Sequence, residues 1–387
     1  MTSQRRGTPD FLLLFLTILL VCFGLAMVFS ASMAYTRFDS VSATMLNDPS
    51  YMVIRQAVAI ALGTVAMFFC MNIDYRVIKK WIGPGFVIVV IMLLLVPVVG
   101  HGVKGATSWF KVAGFSIQPT EFAKLAVILY LAALISKKED KFRDFRKGLL
   151  PALVIVGFVS ALILLQPDVG STMILIMCAA IVILVGGANL KHIFFLCVVG
   201  GAFLSLIISI YLVKNGQDFR VSRFTSFLDP RADPLGDGYQ LLQSLYAFGH
   251  GGISGAGFGQ GIQKLHYLPE AHNDFIFSII GEELGFIGSS LFILVYVAFL
   301  WRGLLVAVRC KEMFGTLAGV GIIGTIAVQA LVNLGGVTVS IPMTGVTLPL
   351  ISYGGSSMLV TLISLGILLS ISREFNKPDQ DKRASRP

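Results

Sequence analysis

The amino-acid sequence predicts an all-α polytopic membrane protein with ten transmembrane helices and a large extracytoplasmic loop between helices seven and eight. Two observations support this fold class: the apolar composition and the spacing of apolar runs along the chain. Of the 387 residues, 56% are hydrophobic and only 13% are charged, and the mean hydropathy is +0.83. Soluble domains contain about 45–50% apolar residues. The composition therefore predicts a single membrane domain over residues 1–387.

A helix needs about 20 predominantly apolar residues to cross the hydrocarbon core of a bilayer, and the sequence contains ten such runs. The first run follows Arg5 and Arg6 and ends near Ser30-Ala31-Ser32, which resembles a signal-cleavage sequence. Because this run is longer than a usual signal core and nine more follow, we expect an uncleaved first span. The ten runs occupy about residues 11–31, 52–71, 82–100, 119–136, 149–166, 170–187, 192–213, 275–301, 313–336 and 354–372.

The basic residues predict the orientation of these spans. An even number of spans puts both termini on one side. The positive-inside rule assigns that side to the cytoplasm, because most of the 30 Lys and Arg residues then lie in cytoplasmic loops and in the tail 373–387. A net charge of +9 in a soluble protein would suggest nucleic acid, but here the basic residues flank apolar runs and indicate topology. The five cysteines lie in or beside apolar runs without metal-ligand spacing, so we expect core packing.

Span four begins with Pro119, which suits the first turn of a helix because its missing N–H is not needed there. Glu121 and Lys124 follow on one face, three residues apart and able to pair. Two interpretations remain open. The pair is either a structural ion pair near the membrane boundary or one wall of a functional site, since charges in spans are costly and usually functional.

Asp168 stands at the start of span six, where a carboxylate caps backbone N–H groups. Capping alone explains this residue. However, the predicted topology places it in the same compartment as Asp274, so a site assembled from several span ends would include it.

The segment 214–274 is too long for a plain connection. Apolar residues within 239–248 fit a helix lying in the membrane interface. The glycines of 249–261 allow the backbone to approach a ligand closely. A nucleotide phosphate loop is not favoured, because no Lys-Ser/Thr follows and no βαβ unit surrounds the glycines.

This long segment ends at Asp274, its last charged residue before span eight, and we expect any chemistry there. Glu283 lies on the opposite helical face from Asp274 and needs its own partner. Two carboxylates within an apolar span make a passive lipid-facing helix unfavourable. One small and polar face of span eight is formed by Asp274, Ser278, Gly281, Glu282 and Gly285.

The last outer loop runs from Thr338 to about Tyr353, and Ser356 then opens span ten. Hydroxyls and glycines at a helix N-terminus bind anions, but they also cap and pack membrane helices. The outer face thus combines acids and bases next to lipid, which suits an amphiphilic anion such as a lipid diphosphate. These charged residues are Glu121, Lys124, Asp168, Arg220, Arg223, Lys264 and Asp274.

Four strings carry a resemblance to a known family: LPEAHNDFIFSIIGEELG, QPTEFAK, QPDVGST and TGVTLPLISYGGSS. In their order and over nearly the whole chain they closely resemble the SEDS family of cell-shape, division and sporulation proteins (FtsW, RodA and SpoVE). The similarity is nearer to the division and spore-cortex members than to the elongation member. These motifs are long and highly specific.

The resemblance implies a peptidoglycan glycosyltransferase that polymerises lipid II on the outer face of a bacterial cytoplasmic membrane. By matching motif, Asp274 would be the catalytic carboxylate, acting as general base on the acceptor hydroxyl. Glu121, Lys124 and Asp168 also fall in family motifs and would line the substrate or metal side of the cavity. A divalent cation, Mg²⁺ or Mn²⁺, would hold the charge of the leaving diphosphate. A class B penicillin-binding protein and division or sporulation membrane proteins would be the partners.

The sequence departs from the family pattern at several positions. Asn273 replaces a frequent Thr, Thr120 replaces a frequent Ser, and the segment 105–109 lacks an Arg that members often carry beside the Trp. Gly261 and Ile262 stand where Ser-Arg is frequent, which weakens a sugar or phosphate role for that loop.

Two alternatives to the polymerase remain. A lipid II flippase would use Glu121, Lys124 and Glu282 as a polar path, with Asp274 as a gate. A non-catalytic scaffold for a transpeptidase would have no need of Asp274, and the intact motif around Asp274 argues against it.

Overall fold

The computed structural model describes most of the chain. The predicted seventh span, residues 192–213, lies almost entirely outside the described residues. Arg220 also lies outside them. The described residues are 7–33, 50–99, 101–103, 106–112, 115–166, 168–192, 194, 227–236 and 238–375.

Helices account for most of the described residues, as the sequence predicts. A short π-helical turn, Phe145–Leu149, leads directly into the fifth helix. The helices are α1 (Phe11–Ser32), α2 (Ser50–Asn72), α3 (Tyr75–Val99), α4 (Pro119–Lys138), α5 (Leu150–Leu164), α6 (Val169–Val185), α7 (Tyr239–Gly251), α8 (Ile276–Val308), α9 (Met313–Val337) and α10 (Gly355–Phe375).

Eight of these helices, within the residues that the structure describes, are long and apolar enough to cross a membrane. They are α1 to α5, with α5 counted from Phe145, and α8 to α10. The helix α6 is apolar but has 17 residues, and the amphipathic α7 has 13. The prediction of a multi-pass membrane protein is therefore confirmed, with eight candidate spans in the described part of the chain.

A small antiparallel sheet adds to the helical architecture and was not expected from the sequence. Its strands are β1 (His101–Val103), β2 (Ala106–Val112) and β3 (Phe115–Ile117), in the order β1-β2-β3. The strand β2 has the sequence ATSWFKV, whose aromatic and β-branched residues favour extended structure. This short connection between α3 and α4 departs from the predicted all-α class, although most of the described residues are helical.

Ion pairs join helix ends at one end of the bundle. Asp10 caps α1 by accepting a hydrogen bond from the Leu13 backbone (2.9 Å), and its carboxylate also pairs with Arg302 near the end of α8 (2.7 Å). The backbone N–H of Gly7 donates to the Arg373 carbonyl of α10 (3.1 Å). Residues 7 and 373 therefore lie at the same end, which we call the far end. The opposite end, where α8 begins, is called the Asp274 end.

The helices α9 and α10 form the centre of the bundle, with 72% and 78% of their membrane-length segments buried, against 17% for α3. Small residues let these helices approach their neighbours closely. A Cβ atom at Gly366 of α10 would lie 2.5 Å from the Met67 carbonyl of α2, and one at Gly319 of α9 would lie 2.7 Å from the Ala307 Cβ of α8. The last turn of α9 lies beside Asp274, since Asn333 Nδ2 is 2.7 Å from the Asp274 carbonyl oxygen.

Candidate active site

The segment that carries Asp274 is fixed through its backbone. Three consecutive carbonyl oxygens, those of residues 272 to 274, each accept a hydrogen bond from a different part of the chain. The bonds are Tyr353 N to His272 O (2.9 Å), Ser352 Oγ to Asn273 O (2.7 Å) and Asn333 Nδ2 to Asp274 O (2.7 Å). None of these bonds uses the Asp274 carboxylate.

Two of the three donors belong to residues 338–354, which we call the re-entrant loop. This segment is the last outer loop that the sequence predicts, and the structure adds that part of it is buried. Leu348, Leu350 and Ile351 are each at most 1% exposed. A Cβ atom at Gly24, within α1, would lie 2.5 Å from the Leu350 carbonyl. The loop therefore folds back into the helix bundle, driven by the burial of its apolar side chains.

Irregular backbone inside a membrane bundle is tolerated where it is buried in protein or lines a cavity. In this loop, side chains of neighbouring helices form hydrogen bonds with the backbone N–H and C=O groups. The Tyr296 hydroxyl of α8 donates to the Pro349 carbonyl (3.1 Å). Gln56 of α2 donates to the Ser352 carbonyl and accepts from the Gly354 N–H, both at 3.2 Å. The re-entrant loop is thus attached to helices that are distant in sequence.

The Asp274 side chain lies against this loop at Gly345. A Cβ atom at Gly345 would be 3.5 Å from Asp274 Oδ2, and Gly345 has a φ of +72°, which favours glycine. The neighbouring Thr344 carbonyl packs against α6, since a Cβ atom at Gly170 would lie 2.8 Å from it. Asp168 caps α6 as predicted, with Oδ1 accepting from Ser171 N at 2.9 Å. The start of α6 and Asp274 therefore meet at the same short stretch of the loop.

Glu121 and Lys124 form the ion pair that their spacing predicts, with Lys124 Nζ 2.7 Å from Glu121 Oε1. The side chains are buried, with 10% and 3% exposed, respectively. They border a small pocket between α4, α9 and α10, whose other polar lining residues include Gln329 and Thr361. Gln329 lies one helical turn before Asn333 on α9, so the cavity and the Asp274 segment share a helix face.

Ser356 joins two parts of the Asp274 end. Its hydroxyl accepts a hydrogen bond from Gln118 N (3.0 Å) and donates one to the Ser116 carbonyl (2.8 Å). The start of α10 is thereby tied to the end of β3 and to the residue before α4. The structure thus shows a packing contact for Ser356, one of the two roles that the sequence left open.

Lys264 is deeply buried and has two partners. Its ammonium donates to Glu283 Oε1 (2.6 Å) and to Ser30 Oγ (2.8 Å), which belong to α8 and α1. The Glu283 carboxylate also accepts from Gly259 N (2.9 Å). The expectation that Glu283 needs a partner of its own is confirmed, and the partner is Lys264.

The glycine-rich loop wraps around a break in α8. Gly285 interrupts the helix with φ 66° and ψ −167°. The loop backbone pairs with α8 on both sides of this break, through Gly257 N to the Glu283 carbonyl (3.0 Å) and Phe286 N to the Gly252 carbonyl (2.9 Å). The buried Glu282 accepts from Ile262 N at 2.7 Å. The loop glycines therefore allow backbone to approach backbone.

The amphipathic stretch forms a helix as predicted, and α7 packs on α8 and α9. The Ser244 Oγ atom lies 2.6 Å from the Ser278 Oγ atom of α8, and the Ser244 hydroxyl donates to the Val337 carbonyl of α9 (2.6 Å). A flippase path would include Glu282. The Glu282 carboxylate contacts α7, since its Oε1 atom lies 2.9 Å from Nδ1 of His250. The cavity beside Glu121 and Lys124 is not lined by Glu282.

Asn333 and Gln56, which hold the Asp274 segment and the re-entrant loop, were not predicted from the sequence. Asn333 and Gln56 are buried polar residues within apolar helices. Such residues are costly in a membrane and usually have a specific partner or function. That signal was present in the sequence, although it does not identify the partner.

The protein is thus a multi-pass membrane protein whose Asp274 segment is fixed against a re-entrant loop. Residues 10–377 match the family model of the FtsW, RodA and SpoVE cell cycle proteins. The chain belongs to this family, so the resemblance seen in the sequence is confirmed.

Two relatives cover nearly the whole chain. The stage V sporulation protein E of Bacillus subtilis is 42% identical over 374 residues, which is 96% of this chain and 99% of that protein. A probable peptidoglycan glycosyltransferase FtsW of Trichlorobacter lovleyi is 40% identical over 370 residues, covering 95% of this chain and 94% of the relative.

A solved structure shares the fold. It is a chain of a peptidoglycan synthase complex that was solved to show the structural coordination of polymerization and crosslinking. The similarity has a TM-score of 0.75 at 29% identity, and it covers 96% of this chain and 99% of the other.

The close approach at Gly24 generates a first prediction. Gly24→Ala places a methyl group against the Leu350 carbonyl, so the re-entrant loop must shift, and overpacking of this kind costs about 1–3 kcal/mol. We expect a lower midpoint of thermal unfolding in detergent. Gly157→Ala is the control, because no heavy atom lies within 4 Å of the added Cβ. Equal midpoints for the two variants would contradict the packing of the loop against α1.

The buried Lys264–Glu283 pair generates a second prediction. Lys264→Met leaves the Glu283 carboxylate buried without its cation, which typically costs about 3–5 kcal/mol. The double variant Lys264→Met/Glu283→Gln should regain most of the lost thermal stability. Lys311→Met removes the same charge from an exposed position and serves as control. If Lys264→Met unfolds at the same temperature as Lys311→Met, Lys264 is not a structural anchor, and its predicted substrate contact becomes the better explanation.

Proposed function

We propose that this protein is a peptidoglycan glycosyltransferase that polymerises lipid II into glycan strands on the outer face of the bacterial cytoplasmic membrane. The observation that carries the proposal is the position of Asp274. Its carboxylate lies on a segment whose backbone is fixed at three successive carbonyls, beside a re-entrant loop. Family membership and the names of the relatives support the same activity.

In the proposed reaction Asp274 is the general base. A sugar hydroxyl of the acceptor attacks the anomeric carbon of the donor, the bond from that carbon to the lipid diphosphate breaks, and the hydroxyl proton goes to the Asp274 carboxylate. The diphosphate leaves as an anion, so no acid needs to protonate it. A single displacement inverts the anomeric centre and converts an α-linked donor into a β-linked strand.

Substrate contacts are assigned to the charged residues at the Asp274 end. We propose that Lys124, oriented by Glu121, faces the lipid diphosphate from the cavity, and that Arg220 in the long loop also contacts it. Asp168 would contribute from the start of α6. Lys264 and Ser356 already have protein partners, so a substrate contact by either would use the remaining hydrogen-bonding capacity of the ammonium or hydroxyl.

The proposed divalent cation fits a site completed by the substrate. Among the described residues, no group of three or more His, Cys, Asp or Glu side chains is placed to hold a metal. Mg²⁺ is usually bound by one or two carboxylates together with substrate phosphates and water. Asp168 is the carboxylate that we assign to it, because its second oxygen is not used in the cap to Ser171. The bound cation would offset the negative charge of the leaving diphosphate.

The topology is part of this proposal. We assign ten spans, with both termini in the cytoplasm and the long loop, residues 214–274, on the outer side between spans seven and eight. The distribution of basic residues supports this orientation, as does the location of residues 7 and 373 at one end of the bundle. The far end is then cytoplasmic and the Asp274 end faces the substrate.

We further propose that the protein works with a class B penicillin-binding protein, among division or sporulation membrane proteins. Its structural neighbour comes from a synthase complex described as coordinating polymerization and crosslinking, and a relative is named for a stage of sporulation. Such a partner would crosslink the strands that this protein makes.

The catalytic assignment is tested with purified protein, its cognate transpeptidase and lipid II. We expect Asp274→Asn to lower the rate of strand formation by about 10²–10⁴-fold, the usual contribution of a general base. Asp229→Asn, at an exposed position, should polymerise like the wild type. Strands from Asp274→Asn at the wild-type rate would remove Asp274 from the chemistry. If the wild type makes no strands, transport of labelled lipid II across liposomes tests the flippase alternative.

The cation is tested in the same assay. Chelation by EDTA should stop strand formation by the wild type, and Mn²⁺ or Mg²⁺ should restore it, because the leaving diphosphate then regains its counter-charge. Asp168→Asn should raise the Mn²⁺ concentration needed for half-maximal activity. Full activity after chelation would contradict the assignment of a cation.

A further inference from the structure

Asn333 links the two chain segments that surround the Asp274 carboxylate. It lies on α9, is 1% exposed, and is one turn from the end of the helix. Its Nδ2 atom is 2.7 Å from the Asp274 carbonyl and 2.7 Å from the Val346 carbonyl. A primary amide has two N–H hydrogens, and here each is directed to a different segment.

These two contacts also fix the orientation of the amide. If the Asn333 side chain were rotated by 180°, its oxygen would face two carbonyl oxygens at hydrogen-bonding distance, and no hydrogen would lie between them. The donor assignment therefore follows from the acceptors. Asn333 thus donates to the backbone of both Asp274 and the re-entrant loop.

The second segment bound by Asn333 forms a wall of the site. Val346 follows Gly345, the residue next to Asp274 Oδ2, and Thr344 packs on the start of α6. One planar amide therefore bridges the Asp274 backbone and this wall, beside the Ser352 hydroxyl, which donates to the Asn273 carbonyl and accepts from Leu348 N.

We propose that Asn333 is a positioning residue that holds the Asp274 carboxylate at its working distance from the wall formed by residues 344–346. The inference rests on the proposed function, since it concerns the geometry of that base. A misplacement of about 1 Å at a reacting group can cost about 10²-fold in rate. Loss of the amide should therefore lower kcat while the affinity for lipid II, bound by other groups, is retained.

A series at position 333 separates hydrogen bonding from packing. Asn333→Leu keeps a similar volume but has no donor, and Asn333→Asp keeps the shape but removes the amide hydrogens. Asn333→Gln keeps the amide on a longer side chain. We expect kcat to fall about 10²-fold in Asn333→Leu and Asn333→Asp, with KM within about threefold of wild type, and to recover in part in Asn333→Gln.

Thr316→Val is the matched control on the same helix. The Thr316 hydroxyl donates to the Cys310 carbonyl (3.1 Å) and the Glu312 carbonyl (3.3 Å), so it ties α9 to a preceding loop at the far end. This variant loses a comparable link without touching Asp274, and its kcat should match the wild type. A loss in Thr316→Val as large as in Asn333→Leu would overturn the proposal, as would a loss confined to KM.

Two further measurements keep the inference separate from the proposed function. In the Asp274→Asn background, Asn333→Leu should cause no additional loss, because the amide acts through that carboxylate. Hydrogen exchange in the peptides covering 272–276 and 344–348 should accelerate in Asn333→Leu and not in Thr316→Val. This exchange result decides the positioning role even if the protein makes no strands. Unchanged exchange in both peptides would overturn it.

Discussion

The structure of the Asp274 end depends on one constraint: irregular backbone inside an apolar bundle must find hydrogen-bond partners within the protein. An unpaired peptide group in such surroundings costs several kcal/mol. The re-entrant loop meets this constraint with partners from several helices, including Tyr296 of α8, Gln56 of α2 and Asn333 of α9. Because these helices are fixed by their packing, the position of the loop is fixed as well.

The same constraint explains the buried carboxylates of α8. The helix breaks at Gly285, and the glycine-rich loop supplies the backbone partners that the break requires. Glu282 and Glu283 then accept N–H groups from that loop, and Lys264 balances the charge of Glu283. These acids attach the long loop to the helix that follows Asp274. They therefore act on the scaffold of the site, whereas the three bonds that hold the Asp274 segment end on main-chain carbonyls.

Local rules applied to the sequence were sufficient for the helices and for contacts within one helix. The Asp168 cap and the Glu121–Lys124 pair follow from spacings of three residues, and the structure shows both. The 338–354 segment could not be predicted in this way, because its burial depends on Gly24 and Tyr296, which are hundreds and tens of residues away, respectively. The role of Asn333 was missed for the same reason. A single polar residue in an apolar run indicates that it has a partner, but the sequence does not show which residue that partner is.

The way in which the Asp274 segment is held has a consequence for the proposed chemistry. A general base gains and loses a proton in every cycle, and any hydrogen bond that required the ionised carboxylate would weaken when the proton arrived. The bonds from Tyr353, Ser352 and Asn333 end on main-chain carbonyls, whose ability to accept does not change with that proton. At the far end, by contrast, helices are joined by charged pairs such as Arg76 with Glu312 and Arg302 with Asp10. The three bonds that hold the segment of the proposed base therefore do not depend on the ionisation state of its own carboxylate.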